Sequence, residues 1–112
     1  MIRSVPFSLV LVLLTNSAHA DQLIRAAWYG NELRGHRTAS GEMFNPDGMT
    51  AAHRTLPFGT CLIVGNPKTG RSIAVRVNDR GPFVAGLTLD LSAGAAQAIG
   101  MGSTETVTMR RC

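Results

Sequence analysis

After residue 20, every β-forming run in this chain is short and is interrupted by glycine, proline or asparagine, and that punctuation restricts the fold more than any other feature. The run LIRAAWYG (23–30) reads as a first strand ended by Gly30. TCLIVGN (60–66) and SIAVRVND (72–79) read as two strands joined by the turn PKTG, a hairpin. LTLDLS (87–92) is a further short strand, and TETVTMRR (104–111) alternates as a last one. The short apolar run ahead of His53, in TAAHRTLPFGT (50–60), looks like a strand end. Only SAGAAQAIGM (92–101) suits a helix: Ser92 caps its start, alanines fill it and Gly100 stops it. GNELRGHRTASGEMFNPDG (30–48) follows neither a helical nor a strand period and is expected to be a long loop, of a length that usually carries function. Short strands with one helix and no βαβ alternation predict a mainly β fold, a small closed or half-closed barrel.

Residues 1–20 differ in character. Arg3 gives a small positive start, VPFSLVLVLLT is an apolar core of signal-peptide length, and Ala18-His19-Ala20 is an A-x-A cleavage site. A secretory signal peptide is therefore expected over 1–20, with a mature chain starting at Asp21. The apolar core is too short for a stable transmembrane helix, and no cysteine follows it as a lipidation site. The mature chain is expected to be soluble and exported, periplasmic or secreted, with no stable membrane insertion. Residues 21–112 suit one domain with one modest core. A covalent staple matters for a core of that size, and the chain's two cysteines, Cys61 and Cys112, both lie in it. In an oxidising compartment they are expected to pair rather than remain as two free thiols. The bridge would close a loop of about fifty residues, worth roughly 4 kcal/mol. Lys and Arg total 11 against 7 Asp and Glu. The positive residues are scattered and aromatics are few, so no nucleic acid partner is expected.

Sites in small barrels gather at the rims and strand ends. His53 follows the run TAA; Asp79 ends IAVRVN ahead of Arg80-Gly81-Pro82; Glu42 lies in the long loop; Asp90 sits inside LTLDLS. Each has an ordinary alternative. Asp79 sits among turn formers, His53 could bond nearby backbone, and Glu42 could be loop surface. Asp90 could be a structural carboxylate accepting backbone N–H bonds.

The blocks AAWYG, GHRTASGEMF, MTAAHRTLPFGT, VGNPKTGRSIAVRVNDRGPF and LDLSAGAAQAIGM, in this order, resemble the double-psi β-barrel domain of the rare lipoprotein A family, from about Ala26 to the end. The resemblance implies a six-stranded double-psi barrel and a lytic transglycosylase acting on peptidoglycan glycan strands stripped of peptide stems. It implies catalytic roles for Glu42 in SGE, His53 in AAH and Asp79 in NDR. Beyond these, substrate contacts are expected from Ser40, Thr38, Asn78 and Arg80, with Asp90 structural, no cofactor, no metal and a monomer. Many members carry a lipidated cysteine after the signal and a C-terminal peptidoglycan-binding domain. Neither is seen in this sequence, so septal recruitment is not carried over and affinity is expected to rest on the barrel groove.

The chemistry suits few residues. Hydrolytic glycosidases use two carboxyl groups, whereas a lytic transglycosylase uses no water. One carboxylic acid can protonate the bridging oxygen between MurNAc and GlcNAc, then take the proton of the C6 hydroxyl as the 1,6-anhydro ring closes. Asp79 is the expected acid/base, which needs a raised pKa. His53 would orient it across the groove or bind substrate, and Glu42 would tune the pair or position a sugar. Two other readings stand beside this one. The first is a non-catalytic binding module like those of expansins and barwins. The second is a metal hydrolase built on His36, His53 and a carboxylate, which the histidine spacing does not favour.

Overall fold

The computed structural model describes residues 20–112; the signal peptide expected over 1–20 lies, apart from Ala20, outside them. Six strands are present: β1 (Gln22–Tyr29), β2 (Thr50–Ala52), β3 (Cys61–Asn66), β4 (Arg71–Asp79), β5 (Leu89–Ser92) and β6 (Glu105–Arg111), with one helix, α1 (Ala93–Ala98). They close into a barrel in the order β1-β5-β2-β4-β3-β6. β1 runs parallel to β5 and β2 parallel to β4; the other neighbours are antiparallel. The expected mainly β, six-stranded barrel with one short helix is the architecture observed. Among the described residues no helix is long and apolar enough to cross a membrane.

Side-chain alternation builds the core. In β4, Ile73, Val75 and Val77 turn inward while Ser72, Ala74 and Arg76 turn out. The inward residues meet Leu62 and Val64 of β3, Leu89 and Leu91 of β5, and Val107 of β6. Each such side chain contributes about 1.5–3 kcal/mol when fully buried. Ala95, Ala96 and Ile99, in and just after α1, complete the cluster. The helix is capped as its sequence suggests. Ser92 is extended and its Oγ accepts from Ala95 N–H at 3.2 Å, and Gly100 takes the left-handed conformation (φ 67°) just past the end.

The bridge Cys61–Cys112 is formed, with Cα atoms 5.4 Å apart, and ties the start of β3 to the chain end. Cys112 N–H also donates to Cys61 O at 3.1 Å.

The long 30–48 segment is more ordered than its sequence suggests. It opens with a 3₁₀ turn at Asn31–Leu33. It then folds into a small finger, in which Arg37 pairs antiparallel with Met43 and Phe44 N–H donates to His36 O at 2.7 Å. Phe44, 3% exposed, packs against Tyr29 with ring centres 4.7 Å apart. Farther on, Gly94 N–H donates to Pro46 O at 2.7 Å. A Cβ on Gly94 would lie 2.9 Å from Asp47 O, so only glycine lets α1 and the loop approach this closely.

Candidate active site

A register shift at the end of β4 sets the position of the central carboxylate. Ala51 pairs with Val77 but Ala52 pairs with Asp79, so Asn78 is the extra residue of a bulge. Strict alternation from Val75 and Val77 would turn Asp79 into the core. The bulge instead places it on the same face as Ala52, the outer one, since Ala51 faces inward with Val77. Ala52 pairs on its other side with Asp90, and Asp90 with Ala27. Asp79, Ala52, Asp90 and Ala27 thus form one row across β4, β2, β5 and β1, with two carboxyl groups flanking an alanine.

The finger leans on this row. Ala39 N–H donates to Asp79 Oδ1 at 2.9 Å, and Arg80 N–H donates to the same oxygen at 2.8 Å. Ser40 N–H reaches Asn78 O at 3.2 Å. Thr38 and Ser40 share a hydroxyl–hydroxyl bond of 2.9 Å at the finger's turn. Glu42 lies in a two-pronged ion pair with Arg76, whose second prong is 3.1 Å long, and accepts from Asn78 Nδ2 at 3.3 Å. The Arg76 hydrogen bonds hold the Glu42 carboxyl below the ordinary glutamate range. Glu42 is therefore a fixed anion that fastens the finger to β4, unsuited to giving up a proton.

His53 and Asp79 are joined through backbone, His53 N–H donating to Asp79 O at 3.2 Å. The imidazole itself makes no hydrogen bond to Asp79. Its Nδ1 accepts the N–H groups of Thr55 and Leu56, each at 3.1 Å, which leaves the proton on Nε2. Burial first, then the charges of Arg54, Arg80 and Arg111, lower its pKa, so the ring is neutral near pH 7. His53 lines a cavity of about 350 Å³ with Leu56, Leu62, Met109 and Arg110. Arg80 is committed to the same turn: its Nη1 donates to Leu56 O (2.7 Å) and His53 O (3.2 Å), and its guanidinium lies 4.0 Å above the Phe58 ring.

Asp90 differs from its expected structural setting. No N–H or side-chain donor among the described residues bonds its carboxyl group, which is half-buried on the outer face beside Ala52. Burial, then the negative charge of Asp79, raises its pKa. Tyr29 stands nearby on β1. Burial first, then the charges of Asp79 and Asp90, push its phenol upward, so it remains a protonated donor. The hydroxyl comes close to Asp79 but not in hydrogen-bonding geometry, and Oη is buried without a partner among the described residues.

Tyr29 and Arg76 went unnoticed in the sequence. Arg76 was legible as an outward charge in the alternating IAVRVND, but its partner lies 34 positions away. A cavity of about 490 Å³ lies elsewhere, lined by residues such as Trp28, Glu32, Arg34, Asp47 and Gln97, and includes none of Glu42, His53, Asp79 or Asp90. Among the described residues, no three His, Cys, Asp or Glu side chains converge as metal ligands would.

Comparison with known proteins adds the following. Residues 22–110 match the family model described as lytic transglycolase. The chain is 60% identical over 79 residues to a protein of Synechocystis named probable endolytic peptidoglycan transglycosylase RlpA, covering 70% of this chain and 25% of that one. It is 44% identical over 96 residues to the endolytic peptidoglycan transglycosylase RlpA of Pseudomonas aeruginosa, covering 85% and 28%. The chain thus spans about a quarter of the length of these curated relatives. Among solved structures it is similar in fold to an expansin of Clavibacter michiganensis, with a TM-score of 0.65, 24% identity, and coverage of 83% of this chain and 50% of that one.

Proposed function

This chain belongs to the lytic transglycolase family, and on that footing we propose that it is an endolytic peptidoglycan transglycosylase, a lyase that cleaves MurNAc–GlcNAc bonds of denuded glycan strands and leaves a 1,6-anhydroMurNAc end. The observation that carries this reading is the seat of Asp79. A bulge turns it out of the core into one row with Ala52, and a finger amide holds it there. The family match and the relatives' names support the substrate.

In this reading Asp79 handles protons at the reacting sugar. The C1–O bond to the leaving GlcNAc breaks as its oxygen is protonated; the C6 hydroxyl loses its proton and closes on C1. No water enters the product. Neutral His53, with its proton on Nε2, donates a hydrogen bond at the groove's end. Glu42 acts through position, keeping the finger and its Ala39 amide on Asp79. Buried Thr38 steadies the finger's turn through Ser40 Oγ and Glu42 O, and partly exposed Ser40 offers its hydroxyl to sugar. Asn78 and Arg80 act from behind, holding the finger and the 53–58 turn. The groove is built within one chain, which fits a monomer. Peptidoglycan lies outside the cytoplasmic membrane, and we place this chain there, periplasmic or secreted.

Asp79→Asn tests the reading. The amide keeps the side chain's size but cannot cycle a proton, so release of anhydro products should fall by about a hundredfold or more with the fold retained. Release at the wild-type rate would overturn the role of Asp79.

A further inference from the structure

We infer that Asp90 is a second catalytic residue of this groove, the carboxyl group that donates the proton to the glycosidic oxygen while Asp79 takes the proton from the C6 hydroxyl. The inference rests on the transglycosylase reading and divides between two residues the proton handling given above to Asp79.

The geometry supplies two carboxyl groups on one face, separated in register by Ala52 alone. Their settings differ. Asp79 is held through Oδ1 by two backbone N–H groups. Asp90 accepts nothing among the described residues, so a structural explanation for a half-buried acid in an apolar strand is missing. A carboxyl group that accepts no bonds is free to donate one. Of the elements around Asp90, β4 brings Asp79, β1 brings Tyr29 and β2 brings Ala52. No cation faces it. Burial first, and then the negative charge of Asp79, disfavour the ionised form of Asp90. The raised pKa of Asp90 agrees with placing the donated proton there.

The step balances. The Asp90 proton passes to the bridging oxygen as the C1–O bond breaks and GlcNAc leaves with a free hydroxyl. The C6 oxygen bonds to C1 and its proton passes to Asp79. One proton then returns from Asp79 to Asp90, restoring the resting pair with no outside reductant, oxidant or water consumed.

The test uses two substrates: denuded glycan, and a MurNAc glycoside with a nitrophenolate leaving group that departs without protonation. Asp90→Asn should lose about a hundredfold or more on glycan yet stay within a few-fold of wild type on the nitrophenyl glycoside. Asp79→Asn should fail on both. Asp90→Asn acting on glycan at the wild-type rate, or equally impaired on both substrates while folded, overturns the inference. Wild-type protein that cleaves neither overturns the transglycosylase reading itself. Should Asp90→Asn not fold, carboxyl-carbon NMR titration of the wild type decides. Asp90 should titrate above the ordinary aspartate range and drop when Asp79 is replaced by Asn; an Asp90 unaffected by that replacement contradicts the pair.

Discussion

His53 accepts the N–H groups two and three positions ahead, as an asparagine does at the start of a turn. That makes its structural and chemical contributions separable. Its folded pKa lies below the ordinary 6.5 because of burial, then Arg54, Arg80 and Arg111. As pH falls, the unfolded chain therefore takes up this proton first. The stability from this site is full above about pH 6.5 and is lost as pH drops from there through the folded value. His53→Asn keeps an acceptor for the two amides but removes both the titration and the Nε2–H. Its melting temperature should fall less than that of the wild type between pH 7 and 5, while activity drops by about a hundredfold. Equal slopes in parallel thermal melts would refute the half-buried neutral histidine. The sequence marked His53, Asp79 and Glu42 as residues of interest, but not their states. The ion pair that fixes Glu42, and the charges of Arg80 and Arg111 that help to neutralise His53, come from partners far along the chain.

Among the elements, the hairpin β3–β4 and the helix α1 were legible because both are local. The turn PKTG, the alternation in SIAVRVND and the Ser92 cap each act within a few residues. The bulge at Asn78 was not legible, since Val75, Val77 and Asp79 alternate without a break in the sequence. Only pairing with the three-residue strand β2 forces the shift. The finger at 36–44 was hidden as well, being too short and polar to show a strand period. Its support at Gly94 gives an element-level prediction. Gly94→Ala would press a methyl group against the Asp47 backbone, 2.9 Å from its carbonyl oxygen. The segment must then shift, at a cost of about 1–3 kcal/mol. Because the finger's Ala39 amide holds Asp79, activity should fall more than the loss of folded protein accounts for. A lower melting temperature with unchanged activity per folded molecule would show that the finger's position does not matter.

At the scale of the whole molecule, closure of the barrel makes the site. No two neighbours in the row β4, β2, β5, β1 are consecutive strands of the chain, yet their pairing brings Asp79 and Asp90 into one row. Composition and punctuation sufficed for a small β-barrel, and two cysteines in a chain expected to be exported sufficed for the bridge. The strand order, and with it the meeting of the two acids, depends on long-range pairings that no local pattern encodes. The most direct measurement is mass spectrometry of the products released by residues 21–112 from denuded glycan and, in parallel, from glycan still bearing its peptide stems. A transglycosylase with this groove yields fragments ending in 1,6-anhydroMurNAc, predominantly from the denuded strands. Fragments with hydrolysed reducing ends, or glycan binding with no fragments at all, would contradict it.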